Sequence, residues 1–219
     1  SLIKDFFEIK FDSLAGITKN PRNSLLSAKL SNSTSAFNDL YLLVPSLKNT
    51  FPPEQFANDA DYFNTELRGN LAQMHWPYLQ LVALTGTRLN AHGTLYKFYY
   101  DLYIDQSSFR KQDILKFVPP DAMESLANLP DIINLSGRIR GNKNDLISDI
   151  RAAGKGMAFN GIFSLKNISG GKLMTYDFAI KESSFDKSFI MGIIPPGSLP
   201  PEINLPEKNY VRGTLKGTI

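Results

Sequence analysis

A stretch of 21 residues occurs twice in this chain of 219. YDLYIDQSSFRKQDILKFVPP, from Tyr100 to Pro120, returns as YDFAIKESSFDKSFIMGIIPP from Tyr176 to Pro196, at a constant offset of 76. Tyr, Asp, Ile, Ser-Ser-Phe, Lys and Pro-Pro recur in register. A repeat on this scale constrains the fold to an architecture that grows by adding like units, each stacked on its neighbours. Function in such a protein belongs to the continuous surface of the stack more than to a single catalytic pocket.

A second echo refines the period. Gly69 in LRGN and Gly141 in IRGN lie 72 apart, and Gly141 and Gly217 in LKGT lie 76 apart, so the later unit carries roughly four more residues, placed near Asn167 to Gly171. Phe37 followed by LVP resembles Phe109 followed by FVP. These spacings divide the chain into the end of one unit (1–60), two units (61–132 and 133–208) and the start of another (209–219). The first residue is Ser1, and the last residues, VRGTLKGTI, read as a strand; both ends are expected to be cuts in a longer protein.

Within the units the dominant pattern has period 2, the signature of strands with one apolar and one polar face. Tyr96, Phe98, Tyr100, Leu102 and Ile104 fall on one face, and Met174, Tyr176, Phe178 and Ile180 repeat the pattern. Similar alternation runs through Phe7, Ile9 and Phe11, through Leu26, Ala28 and Leu30, through Ile133, Leu135 and Ile139, and through Val211, Leu215 and Ile219. Asn90 to Gly93 and Ser169 to Gly171 have turn chemistry. The expectation is about a dozen mostly antiparallel strands in meander order. Short helical turns are expected at Lys111 to Phe117 and Pro120 to Leu129, whereas the Pro-rich segment from Pro195 to Pro206 cannot be helical.

Chemistry-bearing clusters are sparse. With 24 basic and 21 acidic residues the net charge is +3 and no long basic run exists, so the chain lacks the electrostatic footprint of a nucleic-acid binder. Cysteine is absent, which removes disulfides, thiolate metal sites and a Cys nucleophile. His75 and His92 do not fall in a metal-ligand spacing. The repeated Ser-Ser-Phe at Ser107 and Ser183 has no recurring His to activate it, and a serine in every copy reads as a turn or ladder residue. Asp101 and Asp177 recur as lone carboxylates on the polar face. Arg138 and Arg140 in LSGRIRGN are expected to face solvent, and the glycines of that segment to let strands bend. No cofactor and no catalytic residue are expected, and no window is long and apolar enough to span a bilayer as a helix.

The strand pairs LSGRIRG (Leu135 to Gly141) and VRGTLKG (Val211 to Gly217), the following strand MAFNGIFSLKN and the closing D-F-x-I-x-x-S-x-F with a helical turn and Pro resemble the TamB branch of the AsmA-like proteins, particularly the long versions of Bacteroidetes. The resemblance implies a mainly β fold, an elongated and strongly curved antiparallel sheet called a β-taco, with short helical turns between units and a hydrophobic groove on its inner face. It implies a non-enzymatic periplasmic bridge of a Gram-negative envelope, inner-membrane anchored and paired with an Omp85-type, TamA-like outer-membrane partner through parts outside this chain. Its implied ligands are phospholipid acyl chains, and its implied roles are lipid transport between membranes and outer-membrane protein assembly. On this reading Phe98, Leu102, Ile104, Leu135, Ile139, Phe163, Phe178 and Ile180 line the groove.

Two other readings fit the same alternation. One is a structural or adhesive β-solenoid of the cell surface with a packed interior. The other is a chaperone-like module that offers strand edges to outer-membrane proteins by β-augmentation. A polysaccharide-processing β-helix would need a converging carboxylate pair, to which the sequence does not point.

Overall fold

A computed structural model of the chain describes residues 6–11, 24–36, 52, 60–70, 72–118, 123–126, 128–169, 173–194, 197–198, 200 and 202–219. The protein is mainly β. Among the described residues, eleven strands form an antiparallel sheet in which spatial order follows sequence order, so β1 and β11 stand at the two ends of the order and the sheet does not close. The strands are β1 (Phe6–Phe11), β2 (Leu26–Ala36), β3 (Ala60–Asn70), β4 (Gln73–Ala83), β5 (Thr87–Tyr96), β6 (Tyr99–Arg110), β7 (Ile132–Gly141), β8 (Leu146–Gly154), β9 (Met157–Lys166), β10 (Thr175–Asp186) and β11 (Lys208–Thr218). Three short helices lie in the connections among the described residues: α1 (Lys111–Leu115), α2 (Met123–Leu126) and α3 (Lys187–Ile193). The chain divides into two compact units, Ser1–Ser107 and Ser108–Ile219, with the boundary inside β6.

The meander order expected from the alternation is present, and two local expectations change. Tyr96 to Ile104 is not one strand: β5 ends at Tyr96, Lys97 adopts φ 56°, and β6 begins at Tyr99. The alternation runs straight across this two-residue turn because Lys97 is not one of the residues that normally signal a left-handed backbone. Asn90 to Gly93, expected as a turn, lies inside β5. There Gly93 lets β6 approach: a Cβ at that position would sit 2.3 Å from the Asp101 carbonyl oxygen and 2.8 Å from Leu102 Cδ2. The echo from Phe37 to Pro45, residues 119–122 of the expected helical segment and the side chains of Phe7, Ile9 and Phe11 lie outside what is described.

The repeat has a structural counterpart in every fourth strand. In β10 the pairing slips between Ile180 and Ser184 on the β9 side and between Ile180 and Ser183 on the β11 side, and in β2 the pairing to β3 slips between Leu30 and Ser33. Such a slip leaves backbone groups without their ladder partners. A serine fills the gap. Ser183 Oγ accepts from the Asn160 N–H at 3.0 Å and donates to the Asn160 carbonyl at 3.3 Å. Ser107 in β6 makes the same two bonds to Asn90, at 2.9 and 3.2 Å. Ser33, Ser107 and Ser183 are all buried, at 8%, 2% and 3% exposure. The serine of Ser-Ser-Phe is therefore a ladder residue.

Other contacts recur with it. The Lys111 N–H donates to the Asp131 carbonyl and the Lys187 N–H to the Glu207 carbonyl, each tying the start of a helix to the residue just before the next strand. The Asn70 and Asn142 side-chain oxygens each accept two backbone N–H groups and so close the β3–β4 and β7–β8 turns. In the second unit α2 and α3 are in contact, and Asn128 Nδ2 donates to the Gly192 carbonyl at 2.7 Å.

Ser183→Ala removes both bonds to Asn160 and should lower the unfolding free energy by about 1–3 kcal/mol. Ser184→Ala, at the less buried neighbouring position, should cost under about 0.5 kcal/mol. Urea titration followed by far-UV circular dichroism separates the two.

Candidate functional site

The register of the second unit brings five of the eight sequence-derived groove residues to one face of the sheet. Ile139, Ser148, Phe163, Phe178 and Leu215 form one cross-strand line from β7 to β11. Gly137, Ile150, Gly161, Ile180 and Gly213 form the next. Gly141, Leu146, Leu165, Tyr176 and Gly217 flank the first line on its other side, and Leu135 pairs through Ala152 with Phe159. In the second line a glycine stands opposite isoleucine on every strand.

At Gly137, Gly161 and Gly217 the glycine has a steric cause, whereas Gly213 has open space around it. A Cβ on Gly137 would lie 2.1 Å from the Asp149 carbonyl oxygen and 3.0 Å from Ile150 Cδ1, and its φ of 154° disfavours any side chain. A Cβ on Gly217 would lie 2.2 Å from the Tyr176 hydroxyl and 2.5 Å from Cζ, because the Tyr176 ring lies across the glycine. The aromatic side chains are thus laid sideways along the sheet. Phe159 stacks on Phe163 at 5.6 Å, Phe163 meets Phe178 edge-on at 5.2 Å, and Tyr176 tilts against Phe178 at 5.3 Å. Such geometries add about 0.5–1.5 kcal/mol per pair beyond area burial.

Sideways packing leaves these rings half-buried, none of them reaching full burial among the described residues. Among the described residues, Ala83 and Ile133 are the only buried hydrophobic side chains. Leu135, Ile139, Phe163, Phe178 and Ile180 are all half-buried, and Leu215 on β11 is 58% exposed. In the first unit Leu102 and Ile104 are also half-buried, with Leu102 against Gly93. Trp76 pairs with Gly93 from the other side, a large residue opposite glycine that sequence reasoning missed. Phe98 stands apart from the other predicted residues. It occupies the turn after Lys97 and is 85% exposed.

The opposite face of the second unit is polar and charged. Lys181 Nζ reaches Asp149 Oδ2 at 3.2 Å across β9, and Lys216 Nζ reaches Asp177 Oδ2 at 2.8 Å. Arg138 pairs in register with Asp149, and both Arg138 and Arg140 are half-buried, more covered than expected for solvent-facing residues. A shallow depression of about 470 Å³ lies on this face beside the Ser183 bulge, lined by Asn160, Lys181, Glu182 and Arg212 among others. In the first unit His92 Nδ1 lies 3.0 Å from Asp105 Oδ2 and its ring stacks on Tyr103 at 4.9 Å. Glu66 bonds the Arg68 guanidinium and raises its pKa, so the group stays charged at any ordinary pH. No group of three or more His, Asp or Glu residues converges as a metal site among the described residues.

The serine and asparagine partners were legible only in part. Ser107 and Ser183 recur in the sequence, but Asn90 precedes its serine by 17 residues and Asn160 by 23, because the β9–β10 connection is longer than the β5–β6 turn. Aligning the two strands by the Asn would have revealed the pair. Compared with known proteins, the chain matches no family model, no curated protein and no solved structure.

Two substitutions test this construction. Gly137→Ala should cost about 1–3 kcal/mol, from the overlap with Asp149 and the disfavoured φ. Asp177→Asn should change stability by less than about 1 kcal/mol, because the Asp177–Lys216 pair is exposed to solvent and screened. Equilibrium denaturation of each variant measures both.

Proposed function

We propose that this chain is a non-enzymatic segment of a cell-envelope lipid carrier, whose apolar sheet face shields phospholipid acyl chains as they pass between membranes. The observation that carries the proposal is the apolar face of β7–β11, whose aromatic and aliphatic side chains rest on their lateral neighbours and stay only half-buried among the described residues. A packed sandwich interior would bury such residues; here the described chain buries only Ala83 and Ile133 among its hydrophobics.

The energetics suit this role. Each buried CH₂ is worth about 0.8 kcal/mol, so a lipid with roughly 30 methylenes meets a barrier on the order of 24 kcal/mol if its chains cross water bare. An apolar surface lowers that barrier. The headgroup needs the reverse, because burying an unpaired charge costs several kcal/mol. A sheet face open to solvent accommodates both parts of the molecule. The residues proposed to contact acyl chains are Leu102 and Ile104 in the first unit and Leu135, Ile139, Phe163, Phe178 and Ile180 in the second.

The TamB-like sequence pattern supports the same reading. With it come the proposals of a periplasmic location, an inner-membrane anchor and an Omp85-type, TamA-like outer-membrane partner engaged through other parts of a longer protein, and a link to outer-membrane protein assembly.

Phe163→Arg combined with Phe178→Arg should reduce the phospholipid that copurifies with the protein by about tenfold, given the apolar contact removed. Leu102→Asp should act similarly in the first unit. Native mass spectrometry reads the bound lipid, and an unchanged far-UV spectrum confirms folding. Equal lipid recovery from the variants and the parent protein would sink the proposal.

A further inference from the structure

Two turns, one in each unit, place apolar side chains in water without an evident role in folding. In the first, Tyr96, Lys97, Phe98 and Tyr99 are four consecutive exposed residues, and Phe98 is 85% exposed. In the second, between β9 and β10, Ile168 is 42% and Leu173 70% exposed. Both turns lead into the serine-bearing strand of the repeat, β6 and β10 respectively.

The two are built alike. Each begins with a non-glycine residue in the left-handed region, Lys97 at φ 56° and Asn167 at φ 60°, and the next residue is the exposed apolar one, Phe98 or Ile168. A left-handed backbone is unfavourable for lysine and tolerated by asparagine. Each turn is also tied to the turn two connections earlier in its unit: the Lys97 N–H donates to the Ala72 carbonyl at 2.6 Å and the Ile168 N–H to the Asn144 carbonyl at 3.0 Å. Asn167 Nδ2 donates to the Leu173 carbonyl at 3.3 Å and holds the longer turn together. These side chains are held outward on anchored backbones.

From this recurrence we infer that the two turns are membrane-contact points, which insert Phe98 in one unit, and Ile168 with Leu173 in the other, at the headgroup and acyl boundary of a bilayer carrying anionic phospholipid. The flanking chemistry commits the choice of partner. Lys97 lies over the Tyr96 ring at 5.3 Å with Tyr99 beside it, and Lys143 and Lys166 are exposed around the second turn. Aromatic rings with one polar tip settle at the membrane interface, and lysines beside them reach lipid phosphates. This inference does not depend on acyl chains binding the sheet face.

The absence of cysteine allows a clean test. Phe98→Cys, Ile168→Cys and, as a control in the β4–β5 turn, Thr85→Cys are each labelled with the environment-sensitive fluorophore NBD. On adding vesicles of phosphatidylethanolamine with phosphatidylglycerol, NBD at positions 98 and 168 should shift to the blue and brighten severalfold, with no response at 85. In the unlabelled protein, Phe98→Asp with Ile168→Asp should lower vesicle partitioning by about tenfold. The Phe163→Arg with Phe178→Arg protein should still partition, which separates failure of lipid shielding from failure of membrane contact. Equal responses at all three labelled positions would overturn the inference. So would unchanged partitioning of the Asp variant, or a blue shift on concentrating the protein without lipid, which would mark the turns as a self-association surface.

Discussion

The arrangement of the second unit depends on large side chains being set opposite glycine across neighbouring strands. A sheet with one apolar face ordinarily acquires a second layer to cover it. Here Ile150 reaches over Gly137 on the neighbouring strand, the Phe159 ring lies over Gly161, and the Tyr176 ring lies across Gly217. Side chains laid into such gaps bury one flank on the sheet itself. Glycine in a strand costs conformational entropy and removes a side chain that could pack, so its recurrence at these positions is a cost offset by lateral contact. The rings themselves stay half-buried on the sheet.

That arrangement is only as good as the register that aligns it. Shifting a strand by one residue would carry Phe163 or Phe178 to the charged face beside Asp149 and Lys181. The bulge serines pin the register. Ser107 and Ser183 each hold both backbone groups of an asparagine on the preceding strand, which satisfies a ladder that the bulge would otherwise leave open. The charged face contributes less, since its ion pairs are exposed. One serine for every four strands therefore explains why Ser-Ser-Phe persists between copies that differ freely elsewhere.

Much of the strand pattern was legible in the sequence, because period-2 alternation is a direct consequence of the pleat. Leu135 shares a face with Ile139, and Phe178 with Ile180, as their spacing implies. What escaped was chemistry that depends on pairing. The turn at Lys97 is hidden because a lysine in the left-handed region carries no sequence signal, so by spacing alone Phe98 reads as a strand residue. Asn90 and Gly93 look like turn residues by composition, yet one bonds Ser107 and the other makes room for Leu102. The opposition of glycine and isoleucine is invisible until strands are placed side by side, since each residue of a line comes from a different segment of the chain.

The sheet face and the turns divide the labour in the proposed carrier: one shields hydrocarbon, the other meets the bilayer. The central claim is that only one face of the sheet meets lipid. Its most direct test is in-cell photo-crosslinking with benzoylphenylalanine placed in turn at Tyr176, Asp177, Phe178, Ala179, Ile180 and Lys181 along β10, scored for phospholipid adducts. The account predicts adducts at Tyr176, Phe178 and Ile180 and none at the three positions between them. Adducts spread evenly over all six positions, or none at any, would contradict it.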